Sequence, residues 1–331
     1  MTRADVARRI AELVGPDVLT IDDAQTGWPA LATMSVDEGR TVAVALFVGS
    51  VGLSHRNRDD LERRYQNPGQ DRPIVVPPNY LPLLVGLWEQ DRYIDVERTL
   101  LVVADPHHRQ GLVTRFSIFV GVTSLLSALK TGWVVHRSSI DEPIYCIFPA
   151  LLPLRAAIDL DEIQLPSDAV QVAIEAAGLD VAEEDDVAPA AERVRRVAST
   201  LVRDARFSKR VIAAYRGLCA MCGLDLGLVQ GAHIYPAAAP GAPDTVWNGL
   251  CLCANHHIAF DRHLVWVDPG TRAIRLHPSI LAQRDANEAA RTLIEGTWPK
   301  LVEPEPATAR PHEEMFTSRY EFFDGSYAWI A

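Results

Sequence analysis

The chain has 331 residues, enough for two domains of ordinary size. Hydrophobic residues make up 48% and charged residues 23%, which excludes wholesale disorder. The longest uncharged apolar stretch, residues 116–129, has 14 residues, too few to cross a bilayer. The net charge of −11, from 43 acidic and 32 basic side chains, argues against a non-specific coat on nucleic acid but permits a local basic groove.

The opening MTRADVARRI has no apolar signal-peptide core, so a cytoplasmic location is expected, and residues 2–14 read as a helix. Short β-branched runs predict strands at 41–49, 99–105, 115–122, 132–138 and 143–149, and helices are expected at 123–130 and over part of 80–92. These elements describe an N-terminal mixed α/β domain over 1–158. Eleven acidic and no basic residues then run from 159 to 192, which reads as an acidic linker. Eight basic residues and one acid follow between 193 and 216, on a predicted helix over 194–216. A motif-rich domain is expected over 193–280. The remainder, 281–331, opens with a helix (ILAQRDANEAARTLIEG), and its aromatic ending is too apolar for a free tail.

Five cysteines, an odd and clustered set, fit a metal site in a reducing compartment better than a disulfide framework. Cys219 and Cys222 form a C-x2-C pair, and Cys253 and His256 form a C-x2-H pair about thirty residues later. Four such ligands in two pairs suit a tetrahedral structural Zn²⁺. Cys251 competes with Cys253 for the site; Cys146 reads as core. His233, Asn248 and His257 are interleaved with the zinc ligands, so folding around zinc would bring them together.

The pieces RDARFSKRVIAAYRGLCAMCG, AHIYP and NGLCLCANHHIAFD, spread over residues 203–275, together resemble the HNH endonuclease family. The resemblance implies an α+β protein whose C-terminal domain is a zinc-stabilised ββα-metal finger. It implies that His233 is the general base, that Asn248 holds the motif's backbone and orients the base, and that His257 ligates a catalytic divalent metal, Mg²⁺ or another ion. Many family members carry Asp or His just before the base as a second metal ligand. Here that position is Ala232, and Asp261, four residues after His257, is the substitute; the other reading of Asp261 is a helix-end carboxylate. His263 reads as a surface residue.

Arg203, Arg206, Lys209, Arg210 and Arg216, on the basic helix, are candidates for DNA phosphate contacts, with an ordinary solvated face as the other reading. Arg56 and Arg58, in the polar stretch 50–74, are candidates in the first domain, as is the ADPHHRQG segment with His107, His108 and Arg109. Trp28, Trp88 and Trp133 are either core or an aromatic pocket for a flipped base. The expected function is a metal-dependent DNA endonuclease, a restriction enzyme of the modification-dependent kind on architectural analogy. The alternatives are a defence effector nuclease triggered through the N-terminal domain, and a zinc-structured DNA-binding scaffold. DNA is the expected partner and no membrane is. Double-strand cleavage by a single-site enzyme points to a homodimer.

Overall fold

The computed structural model describes the chain except residues 38, 55–60, 70–71, 179–186 and 331, and except the side chains of 23–26, 187–192, 194, 195, 197 and 198. The chain divides into two compact units, Met1–Val202 and Arg203–Ala331. No helix among the described residues is long and apolar enough to cross a membrane.

Unit 1 begins with helix α1 (Arg3–Val14), started by a capping box in which Thr2 and Asp5 satisfy each other's backbone N–H. Strands β1 (Leu19–Thr26), β2 (Ala30–Asp37), β3 (Arg40–Leu53), β4 (Glu62–Gln66), β5 (Leu81–Trp88), β6 (Leu100–Ala104) and β7 (Ser117–Gly121) follow. Helix α2 (Val122–Thr131), strands β8 (Trp133–Arg137) and β9 (Pro143–Ile147), and helices α3 (Leu152–Asp161) and α4 (Ser167–Ala176) complete the unit up to the long helix α5 (Val187–Ala214), which runs across the division. The main sheet has the order β1-β2-β3-β5-β6-β9-β8. Its β3–β5 pair is parallel and its other pairs are antiparallel. The C-terminal end of β3 leaves that sheet to pair with β4, which in turn pairs with β7.

Residues 81–88, expected to be partly helical, are instead β5. Seven of its eight residues are buried and Leu81 is half-buried, so both faces are covered and no alternation marks the strand. The acidic linker is also corrected over 159–176. Asp159–Asp161 end α3, and α4 buries Val170 and Ile174, so the acids line amphipathic helices that pack into unit 1. Residues 179–186 of that expected linker lie outside the described residues, as do Arg56 and Arg58.

Trp88 and Trp133 are fully buried core residues and cannot stack an incoming base; Trp28 is half-buried, edge-on to Phe47 with the Arg3 guanidinium over its ring. His107 is tied to Asp105, and Arg109 forms a double hydrogen bond with buried Glu142.

Unit 2 carries the end of α5, the hairpin β10 (Val229–His233) and β11 (Gly249–Cys253), helix α6 (Ala254–Asp261) and a second hairpin, β12 (Val265–Val267) with β13 (Ile274–Leu276). The single expected helix over 280–296 is two: α7 (Pro278–Leu281) and α8 (Glu288–Gly296), separated at Asn287, whose side chain caps α8. Helix α9 (Glu313–Phe322) follows. The expected packing of the C-terminal segment occurs: Leu301, Phe316 and Tyr327 are buried, and Trp298 and Val302 donate backbone hydrogen bonds to Met221 and Ala220.

Candidate active site and zinc knuckle

Two glycines let α5 settle on the β10–β11 hairpin. A Cβ at Gly231 would lie 2.6 Å from the Cα of Ser208, and one at Gly249 would lie 2.4 Å from Val211 and 2.9 Å from Phe207. Only hydrogen fits between helix and hairpin at both places. Ser208 Oγ accepts the Gly231 N–H at 2.8 Å and fixes the helix against the strand. This approach lays Phe207 flat on the His233 ring, centroids 3.6 Å apart and planes at 8°.

His233 ends β10 and is paired with Gly249. Its Nε2 lies 3.0 Å from Oδ1 of Asp244. An ionised carboxylate only accepts, so Nε2 carries the proton and Nδ1 holds a lone pair. Asp244 is held in turn: Arg203 Nε is 3.0 Å from its Oδ2, and Arg210 donates to its carbonyl at 2.6 Å.

The loop 234–247 is held by Asn248, which is fully buried. Its Oδ1 accepts the Tyr235 N–H at 2.8 Å, its Nδ2 donates to the carbonyls of Tyr235 and Pro243 at 3.0 Å each, and its own carbonyl accepts the Ile234 N–H at 2.8 Å. Asn248 therefore acts on the backbone between His233 and Asp244.

His257 projects from α6. Its Nδ1 lies 2.7 Å from the acceptor Gln230 Oε1, and its Nε2 lies 3.3 Å from Oδ2 of Asp261 one turn on. Two ligands of one octahedral ion with bonds of about 2.1 Å stand about 3 Å apart, so this pair fits a hard divalent cation. His233, His257 and Asp261 line one cleft of about 420 Å³, together with Asp204, Phe207 and Arg319. Burial raises the Asp204 carboxyl above the ordinary range, against the pull of Arg203 and His233.

Beside this cleft, Cys219, Cys222, Cys253 and His256 bring four ligand atoms within 4.8 Å of one another. Gly223, at φ +71°, makes the tight turn of the first pair, where its N–H bonds the Cys219 carbonyl at 2.8 Å. Cys253 precedes the first residue of α6 and His256 lies in its first turn, so the cluster joins knuckle, strand and helix. His256 presents Nδ1 to the thiols, 3.2 Å from Cys253 Sγ, while Nε2 bonds the Thr297 hydroxyl at 2.9 Å. That oriented imidazole with three thiols is a donor set for tetrahedral Zn²⁺. Burial raises the Cys219 thiol, but hydrogen bonds from His256 and from the backbone N–H groups of Cys253 and Met221 outweigh it and bring it down to about 6. Cys251 stands outside the cluster, and burial pushes its thiol up to about 12. Cys146 is buried in β9, as expected of core.

Of the candidate phosphate contacts, Arg203 and Arg210 on α5 are engaged with Asp244, and Arg216, just past the helix, is paired with Glu305; Arg206 and Lys209 also have partners. His263 packs against Phe323 and bonds the Tyr327 hydroxyl at 3.2 Å. Sequence reading missed Asp244, Gln230, Asp204 and Arg319.

A histidine on a strand end, a second histidine on the following helix and a Cys3His cluster beside them form a ββα arrangement. Residues 219–268 match the family model described as HNH endonuclease, so this segment is an HNH endonuclease domain. The chain is also similar to the modification dependent TagI restriction endonuclease, at 14% identity and a TM-score of 0.32, over 89% of this chain and 87% of the other. No curated protein matches it.

Proposed function

We propose that the protein is a metal-dependent DNA endonuclease in which unit 2 hydrolyses the phosphodiester and unit 1 selects the substrate. The observation that carries this reading is the pair of histidines in one cleft, each held by an oxygen on one ring nitrogen. Asp244 holds Nε2 of His233 and leaves Nδ1 for a water, and Gln230 holds Nδ1 of His257 and leaves Nε2 facing Asp261.

In the proposed reaction His233 Nδ1 takes a proton from a water as the water oxygen attacks phosphorus. Asp244 holds the imidazolium that forms, and Phe207 keeps the ring from turning. The bond to the 3′ oxygen breaks, leaving a 5′-phosphate and, after proton uptake, a 3′-hydroxyl. A divalent ion, Mg²⁺ or similar, bound by His257 and Asp261 would supply neutralisation of charge on the phosphate and the leaving oxygen. The Cys3His set would hold structural Zn²⁺.

The finer reading is a cytoplasmic restriction enzyme that acts on modified foreign DNA as a homodimer. The division of the chain into a compact unit 1 and a unit that carries the nuclease motif supports a separate substrate-selecting part. The test is cleavage of matched DNAs, unmodified, methylated, hydroxymethylated and phosphorothioated, by wild type and His233→Ala. Cutting of one modified substrate alone, abolished in the variant, is expected. Equal cutting of all refutes modification dependence, and cutting only after a cell-extract trigger favours the effector reading.

A further inference from the structure

Arg319, on α9, is 2% exposed, and its fork reaches two different elements of the centre. Nη1 donates to the Ile234 carbonyl at 3.1 Å, in the residue that follows the base His233. Nη2 donates to the Phe260 carbonyl at 2.7 Å, in the residue before Asp261 and one turn beyond His257. Nε donates to the Tyr327 hydroxyl at 2.8 Å, and the guanidinium lies 3.9 Å from the Phe260 ring centroid. Among the described residues no carboxylate hydrogen-bonds to it, so this buried cation is not one half of an ion pair. Its partners are carbonyls, a hydroxyl and ring faces.

We propose that Arg319 is a positioning residue of the nuclease centre, fixing the separation between the strand end that carries the base and the helix that carries the metal ligands. The inference rests on the nuclease reading, and it gives Arg319, which lies outside the residues that match the family model, a part in the centre. A planar fork with donors at fixed angles can bridge two carbonyls on separate elements. A lysine ammonium has the charge but not the span. Arg319 also borders the cleft beside His233 and His257, so any change in its reach alters the gap in which the phosphate must sit.

The test compares Arg319→Lys and Arg319→Gln with Tyr320→Phe. Tyr320 lies on the same helix and bonds both the N–H and the carbonyl of Val267, at 3.0 and 2.7 Å, so its loss loosens α9 without touching base or ligand elements. Three quantities are read in the full chain: kcat and KM on DNA, melting temperature, and the imidazole NMR signals of His233 and His257. Both Arg319 variants are expected to lose kcat about 30-fold or more, in line with the penalty for misplacing reacting groups by a fraction of an ångström to 1 Å. KM should stay within about threefold, and both imidazoles should shift. Tyr320→Phe should lower the melting temperature while kcat and both imidazoles stay close to wild type.

Arg319→Lys with kcat within about threefold of wild type, or with both imidazoles unmoved, overturns the proposal. So does an equal loss of kcat in Tyr320→Phe at equal melting temperature. If Arg319→Gln does not fold, the Lys variant decides. Wild-type protein that cuts no DNA refutes the nuclease reading, and the imidazole comparison then decides the positioning role by itself.

Discussion

Replacing Asn248 by Ala removes a side chain that ties both ends of the loop that follows His233. Three hydrogen bonds disappear, at 2.8, 3.0 and 3.0 Å, in a fully buried place where water cannot replace them. At roughly 1 kcal/mol net for each, the expected loss is about 3 kcal/mol. Unit 2 spans Arg203–Ala331, 331 − 202 = 129 residues. For a unit of that size about 3 kcal/mol lowers the melting temperature by about 10 °C. Calorimetry on the full chain gives the value, and the transition that moves with a zinc chelator identifies unit 2. Asn248→Asp keeps the acceptor for Tyr235 N–H but turns a carboxylate oxygen toward two carbonyls, so it should melt no higher than the Ala variant. An Ala variant that loses less than about 1 kcal/mol, or an Asp variant as stable as wild type, would refute the claim that this side chain holds the loop.

Three further outcomes follow from the same geometry. Asp244→Asn should lower kcat by roughly 10² or more, because an amide no longer holds the proton on Nε2 and the base nitrogen on Nδ1; a single-turnover rate within threefold of wild type contradicts this. One zinc per chain is expected by atomic absorption, and Cys222→Ser or chelation should remove it and melt unit 2 while unit 1 keeps its transition; an unchanged calorimetric trace without zinc contradicts it. Asp204 has a carboxyl raised by burial in the folded chain, so its ionisation opposes folding above the ordinary carboxylate range and is silent below it. Asp204→Asn should therefore melt higher than wild type at pH 8 and equally at pH 3, and the reverse pattern contradicts the assignment.

The centre was legible where its chemistry repeats at short spacing. The two ligand pairs, the His-Asn-His order and the Ala232 departure are all local patterns, and folding brings Cys219, Cys222, Cys253 and His256 together as the spacing implied. The residues that set the tautomers were not legible. Asp244 and Gln230 are ordinary polar residues in a loop and on a strand, and their partners lie 11 and 27 positions away with no periodicity to link them. Arg319 is harder still, since its two carbonyl partners are 85 and 59 positions off and it reads in sequence as a charged residue on an aromatic tail. In unit 1, β5 was misread because a strand buried on both faces has no alternation to distinguish it from a helix. The acids of α3 and α4 imitated a linker because charge density conceals the few apolar positions, such as Val170 and Ile174, that pack.

The central claim is that one cleft hydrolyses DNA with His233 as base and His257 as metal ligand. Its most direct test is the single-turnover cleavage rate of one DNA substrate by wild type, His233→Ala and His257→Ala, each with and without Mg²⁺ or Mn²⁺. Metal-dependent cutting by wild type, with 5′-phosphate ends and losses of about 10³ or more in both variants, is the predicted result. Cutting that survives in either variant, or that proceeds equally in chelator, contradicts it.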